Sequence, residues 1–343
     1  MSRFVNQLAD LTAQRDHAGL DATLVSTIND LLQPQTVAIC RVVGEADKQC
    51  WLVSAHMKAG QMVPIRESAW PDLDALPYLA QHPLRTQAVA SRQIVQTGGS
   101  PNITVFPVLG TSGSSVVLEL STQAAIADAD QHLVSSVLRM FVNFEELLDY
   151  GERDALTELL NRKTFDSAFL NATIAQQQVT DQPLDERRNG AGSSNYWLAI
   201  LDIDHFKRVN DNYGHLIGDE VLLLLSGLMR SCFRFHDQLY RFGGEEFVVL
   251  MHCDGEPEAA GALERLRAAT ENFMFPQVGN ITISIGFSEI KSGDTPSAAF
   301  ERADKAVYHA KEHGRNQVCS YAALIASGAL QEQAPNVGDM ELF

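Results

Sequence analysis

Residues 196–204 read YWLAILDID and residues 238–251 read QLYRFGGEEFVVLM. The first is an apolar run of strand length ending in two carboxylates, Asp202 and Asp204, and predicts a strand buried on both faces. The second is two apolar runs about Gly243-Gly244 and predicts a hairpin. Helical periodicity surrounds them, in DALTELLNRKTFDSAFLNATIAQQQ from Asp154, DEVLLLLSGLMRSCFR from Asp219, residues 257–272, and SAAFERADKAVYHAKEHG at 297–314. Residues 280–290, NITISIGFSEI, add another strand, and 177–195 read as a polar Gly/Pro/Ser loop. Helices interleaved with a central sheet place this half in the α+β class.

The first half reads differently. Leu20, Leu24, Ile28, Leu31 and Leu32 recur at helical spacing in the first 33 residues. Strands follow at 36–43 and 50–57, then a Pro-punctuated stretch, then a hairpin at 103–109 and 114–121. This predicts an antiparallel sheet with flanking helices. Between the halves, Val134, Val137, Phe141, Phe144 and Leu148 step 3-4-3-4 along one helix, an a/d seam. The seam predicts a signalling linker that pairs two copies; the plainer reading is a helix packed on its own domain. The expected division is 1–126, a sensory or dimerisation domain; 127–153, the linker helix; 154–322, the second domain; and 323–343, a flexible tail.

The 343 residues carry 43 Asp plus Glu against 26 Lys plus Arg, a net charge of −17. That balance disfavours a nucleic-acid partner and an anionic membrane surface. It leaves open a nucleotide substrate, which needs only local cations and a metal. No apolar run reaches the 18 residues that predict a membrane span. The five scattered cysteines predict free thiols in a cytoplasmic protein rather than disulfides or a zinc site.

Chemistry concentrates in four places. Asp202 and Asp204 alternate at a strand end, so both face one side; oxygen-only donors favour Mg²⁺ or Mn²⁺. Gly243 and Gly244 allow positive φ and close ligand approach, and Glu245 and Glu246 follow on the hairpin tip, expected to point to opposite sides. Taken alone, this fits any exposed turn. In HFKRVNDNYGHLIGDE (205–220), Lys207 suits phosphate, and Asn210 with Asp219 suits a guanine edge. Lys311 and Arg315 add cations, although a helix C-terminus favours basic residues anyway.

Together these segments resemble the GGDEF family of diguanylate cyclases, in its GGEEF spelling, from Asp154 to about Val318. DALTELLNRKTF is similar to the family's opening motif, LDIDHFKRVNDNYGHLIGDEVL to its metal and guanine segment, RFGGEEF to its signature, and RADKAVYHAKEHGRN to its closing helix. The resemblance implies a mostly antiparallel, palm-like sheet surrounded by helices. It also implies a reaction, two GTP condensing to cyclic di-GMP and two pyrophosphates, in a homodimer because each domain holds one GTP. Carried over residue by residue, Asp202, the Ile203 carbonyl and Glu245 would bind the metal, and Asn210 and Asp219 would read guanine. Lys207, Lys311 and Arg315, with the backbone around His205 and Phe206, would hold phosphates, beside Gly243 and Gly244. Glu246 would act as base or secondary metal ligand. Arg234-Phe235-His236-Asp237 looks like the family's RxxD site, where Arg234 and Asp237, with Arg265, would bind product as inhibitor.

Three departures stand out: Glu158 where Gly is usual, His205 where a bulky residue such as Phe is usual, and the long 177–195 loop. The first half resembles a GAF domain, with PAS as the alternative, and its sensory ligand, if any, is unknown. The rival function is a catalytically silent receptor that binds GTP or cyclic di-GMP.

Overall fold

The computed structural model describes residues 9–44, 48–66, 75–110, 115–180, 195–234 and 236–331. The chain divides into two compact units, Met1–Gly151 and Glu152–Phe343.

The first unit is built on a six-stranded sheet of order β3-β2-β1-β6-β5-β4. Its strands are β1 (Thr36–Val43), β2 (Cys50–Lys58), β3 (Ile65–Arg66), β4 (Val95–Gln96), β5 (Asn102–Val108) and β6 (Val116–Thr122). The predicted late hairpin is β5–β6, paired from Asn102↔Thr122 to Val108↔Val116. Helix α1 (His17–Leu32) starts where Asp16 accepts from the Gly19 N–H. It covers one face of the sheet with α3 (Asp128–Glu152), and α2 (Pro83–Ser91) lies on the other.

Helix α3 corrects the linker reading. Val134, Val137 and Phe141 are fully buried, and Phe144 and Leu148 pack against the same core as Leu24, Ile39 and Leu118. The heptad seam is taken up by its own unit, where the apolar stripe of α3 covers one face of the sheet. Arg41 ties α3 to the sheet and to α1, donating to Glu145 at 2.6 Å and to Asp21 at 2.7 Å. Leu147 and Tyr150 stay exposed on the far side of the helix.

The second unit holds a sheet of order β14-β13-β8-β10-β9-β7. Its strands are β7 (Leu160–Asn161), β8 (Asn195–Ile203), β9 (Gln238–Gly243), β10 (Glu246–Cys253), β13 (Ile283–Glu289) and β14 (Val318–Ser320). The four central strands are antiparallel, and the two edge strands pair parallel. A separate ribbon joins β11 (Met274–Phe275) and β12 (Gly279–Asn280). The helices are α4 (Arg162–Thr180), α5 (Phe206–Tyr213), α6 (His215–Cys232), α7 (Glu256–Asn272), α8 (Pro296–Glu312) and α9 (Tyr321–Ala326).

Strand β8 is central, as its apolar run predicts, and its alternate residues serve different layers. Trp197, Ala199, Leu201 and Ile203 join Val221, Leu225, Leu263 and Leu266 of α6 and α7 in one core. Asp202 belongs to the opposite face, which α8 covers. Helix α8 comes close because its inward face is Ala299, Ala303, Ala306 and Ala310, all fully buried. Gly286 of β13 completes that fit: a Cβ there would lie 2.2 Å from the Val307 backbone nitrogen.

Two boundaries differ from expectation. The helix predicted from Asp154 begins only at Arg162. Asp154 accepts from the Thr157 N–H and hydroxyl, its own N–H donates to the Leu159 carbonyl, and Glu158 adopts φ 57°, so 154–161 forms a turn and a short strand. The predicted flexible tail starts too early: Leu324, Ile325 and Leu330 pack on Ala306, Ala310, Cys319 and Tyr321. Residues 332–343 and the 181–194 part of the long loop lie outside the described residues. Among the described residues no helix is long and apolar enough to cross a membrane, and all five cysteines are free thiols.

Candidate active site

Asp202 is the penultimate residue of β8, with Glu246 directly opposite it on β10 and Ser284 opposite it on β13. Like charges directly across a strand pair repel. Glu245 sits one residue earlier, in the turn that Gly243 (φ 140°) and Gly244 (φ 52°) make possible. Both glutamates lie in the field of the Asp202 charge. All three carboxyls are held above their ordinary range. For each, burial is the largest cause, followed for the two glutamates by the Asp202 charge. Asp202 stays raised although Lys311 Nζ lies 2.7 Å from its Oδ2 and Arg315 adds a second positive charge.

This is an acid cluster short of cations. Lys311 stands where a metal's charge would act on Asp202, and the remaining donors are all oxygens. The donor set therefore fits a hard divalent cation. Among the described residues no three acidic, His or Cys side chains already stand in ligating geometry. Asp202, Glu245 and the Ile203 carbonyl, which the resemblance implies would hold one, lie at this end of β8, and the Ile203 side chain is buried in the core.

Asp204 has another task. It is buried, and its oxygens accept from Thr282 Oγ1 and Ser284 Oγ, each at 2.7 Å, and from the Asn316 N–H at 3.0 Å. It thereby fixes the loop after α8, where Arg315 and Asn316 take positive φ, and so places Arg315.

The signature hairpin is braced from behind. Phe165 of α4 meets the rings of Tyr240, Phe242 and Phe300 at 5.3, 5.4 and 5.0 Å. Each such pair contributes about 0.5–1.5 kcal/mol beyond its buried area. Arg241 donates to Asp154 Oδ1 at 2.9 Å and to the Gly244 carbonyl at 2.9 Å. The opening motif thus holds the turn that carries Glu245.

The sequence profile described as "Diguanylate cyclase, GGDEF domain" matches residues 152–317. Diguanylate cyclase DgcS of Shewanella oneidensis is 34% identical over 227 residues, which are 66% of this chain and 69% of that one. The chain belongs to the GGDEF diguanylate cyclase family.

Diguanylate cyclase DgcP of Pseudomonas aeruginosa is 40% identical over 178 residues, 51% of this chain and 25% of its own length. For DgcM of Escherichia coli the values are 34%, 51% and 39%. The chain therefore spans well under half the length of these two relatives. Among solved structures, the GGDEF domain of DgcB from Caulobacter crescentus in complex with c-di-GMP is 33% identical, with 50% of this chain and 96% of that one covered, at a TM-score of 0.42.

The remaining GGDEF positions lie beside the acid cluster in sequence. His205, in the left-handed region at φ 60°, turns the chain from β8 into α5; Phe206 is buried beneath it and Lys207 is exposed. Asn210 and Asp219 are on α5 and α6, and Asp219 is exposed. Among the described residues no hydrogen bond or ion pair joins Lys207, Asn210 or Asp219 to the acids. Gly218 is what sequence reading missed. Its missing Cβ would lie 2.0 Å from Asn210 Oδ1, so only glycine admits the Asn210 amide there.

The RxxD segment is held by a local contact. Asp237 Oδ2 accepts from the Arg234 N–H at 2.9 Å, and Asp237 lies in the fields of both Arg234 and Arg265. Burial nevertheless pushes its pKa up to about 6. Arg234 pairs with Glu258 at 2.7 Å. Phe235 lies outside the described residues.

Proposed function

We propose that the C-terminal unit condenses two GTP into cyclic di-GMP with release of two pyrophosphates. The observation that carries this is the convergence of Asp202, Glu245 and Glu246 on one strand end, undercharged with cations and with every acid of the signature intact. Mg²⁺, or Mn²⁺, on Asp202, Glu245 and the Ile203 carbonyl would supply Lewis-acid stabilisation of the attacking oxygen and of the pyrophosphate leaving group.

The chain's own residues do the rest. Asn210 and Asp219 orient guanine; Asp219 accepts from N1–H and the 2-amino group, donors that adenine lacks together. Lys207, Lys311 and Arg315 hold the phosphates, and the open space around Gly243 and Gly244 admits them to the turn. Lys311 exchanges its Asp202 partner for phosphate as the substrate arrives. Glu246 takes the 3′-hydroxyl proton as that oxygen attacks the α-phosphate of the second GTP, in line with departing pyrophosphate. Each unit binds one GTP, so ring closure requires two copies face to face. The cluster of Arg234, Asp237 and Arg265 binds product and restrains the enzyme. The N-terminal unit, with its helix–strand–strand start and late hairpin, acts as a GAF-like sensor.

The test is the full chain incubated with GTP and Mg²⁺, with nucleotides separated by chromatography. The expected products are cyclic di-GMP and pyrophosphate at one to two, absent from Glu245→Ala. No cyclic dinucleotide, or equal yield from Glu245→Ala, overturns the assignment. GTP binding without turnover would instead indicate a receptor.

A further inference from the structure

The first unit contains a cavity of about 270 Å³ between α3 and the outer edge of β5. Its origin is local. Strand β4 pairs only Val95 and Gln96 with β5, opposite Val105 and Thr104. Beyond them Phe106 and Pro107 run on past β4, and Pro107 has no N–H to recruit a longer partner strand. Phe106 and Pro107 form one wall, and Leu138 and Val142 of α3 form the other. Phe106, Leu138 and Val142 are buried.

Two arginines, Arg92 and Arg139, complete the lining, and no carboxylate does. Both arginines are exposed at the cavity rim. Among the described residues Arg41, Arg85, Arg234, Arg241, Arg267 and Arg302 each hold a carboxylate as an ion pair. Arg92 holds none, and Arg139 reaches only Ser136 Oγ at 3.3 Å. In a protein of net charge −17, two unpaired guanidinium groups beside an apolar cavity select an anion with an apolar body. At this volume the cavity lies just below the range of drug-sized ligand pockets, which favours a small occupant. The acidic chain disfavours an anionic membrane as the source.

We propose that this cavity binds a small apolar carboxylate, its body between Phe106 and α3 and its head between Arg92 and Arg139. Its occupant would pack on α3, the helix that ends at Glu152, where the cyclase unit begins. This deepens the sensor reading of the N-terminal unit. It is measured as binding, so it stands or fails apart from turnover of GTP.

The probe is sodium octanoate, titrated calorimetrically into the full chain, with octan-1-ol and inorganic phosphate as controls. Octanoate should bind saturably at one per chain. Octanol should bind at least tenfold more weakly, and phosphate should not bind. Arg92→Ala and Arg139→Ala should each weaken octanoate about tenfold, the scale of one charge-assisted contact. Ser135→Trp, which fills the cavity, should abolish binding while circular dichroism reports an unchanged fold. The proposal is overturned by absent saturation, by octanol or phosphate matching octanoate, or by unaltered affinity in Arg92→Ala and Arg139→Ala.

Discussion

At the scale of single residues, the acid cluster stores a conflict between stability and chemistry. An acid whose pKa is higher in the folded than in the unfolded chain takes up protons on folding, so stability falls as pH rises through that window. Asp202, Glu245 and Glu246 are all of this kind. Glu245→Gln is therefore expected to abolish cyclic di-GMP synthesis yet raise the melting temperature in metal-free buffer at pH 7.5. That gain should disappear near pH 4, where the wild-type carboxyl is protonated, and calorimetry across pH checks it. Asp237 obeys the same sign between 3.8 and about 6. To accept from guanine at the proposed product site it must be ionised, so inhibition by added product should weaken severalfold between pH 7.5 and pH 5.5. An inhibition constant that does not move over that range removes Asp237 from the product site. Glu158 takes φ 57° where the family usually has Gly. Glu158→Gly should stabilise by about 1 kcal/mol, the cost of a left-handed residue less the entropy of glycine, read from urea midpoints with turnover unchanged.

At the scale of elements, two glycines separate a local role from a global one. At Gly218 an added Cβ meets the end of the flexible Asn210 side chain, and at Gly286 it meets the backbone of α8. Gly218→Ala should displace the Asn210 amide and raise KM for GTP about tenfold, the scale of one lost polar contact, with little change in melting temperature. Gly286→Ala should push α8 off the sheet, cost roughly 1–3 kcal/mol of stability and carry Lys311 away from Asp202. If both variants melt together, the Asn210 site is structural only. These roles are hard to see in the chain. Gly218 and Gly286 look like tolerated glycines in a helix and a strand, and no motif names what their absent side chains would touch.

At the scale of the whole molecule, the heptad seam reads plainly in the sequence and is used otherwise. An a/d pattern specifies that one helix face is apolar, but not whether its partner is a second copy or the neighbouring sheet. Here the sheet takes it, so Val137→Asp should unfold the first unit rather than merely separate two copies, visible as a lower total unfolding enthalpy in calorimetry. If two copies close the ring, the rate per mole of protein should rise with concentration until dimerisation saturates. Strict proportionality across dissociation, followed by sedimentation, would exclude that requirement.

The sequence by itself determined the strand β8, the hairpin about Gly243-Gly244 and the residue types of the site, because burial period and turn chemistry are local properties of a chain. Asp202, Glu245, Lys207, Asn210 and Asp219 were legible as candidates for the same reason. Only the tertiary structure decided that Glu246 lies level with Asp202 and that Lys311 lies on Asp202. It alone showed that Asp204 is committed to Thr282, Ser284 and Asn316, and that Arg241 links Asp154 to the Gly244 carbonyl. Those relations join residues far apart in the chain. They depend on strand register and on how closely α8 approaches the sheet, which packing sets and periodicity does not encode.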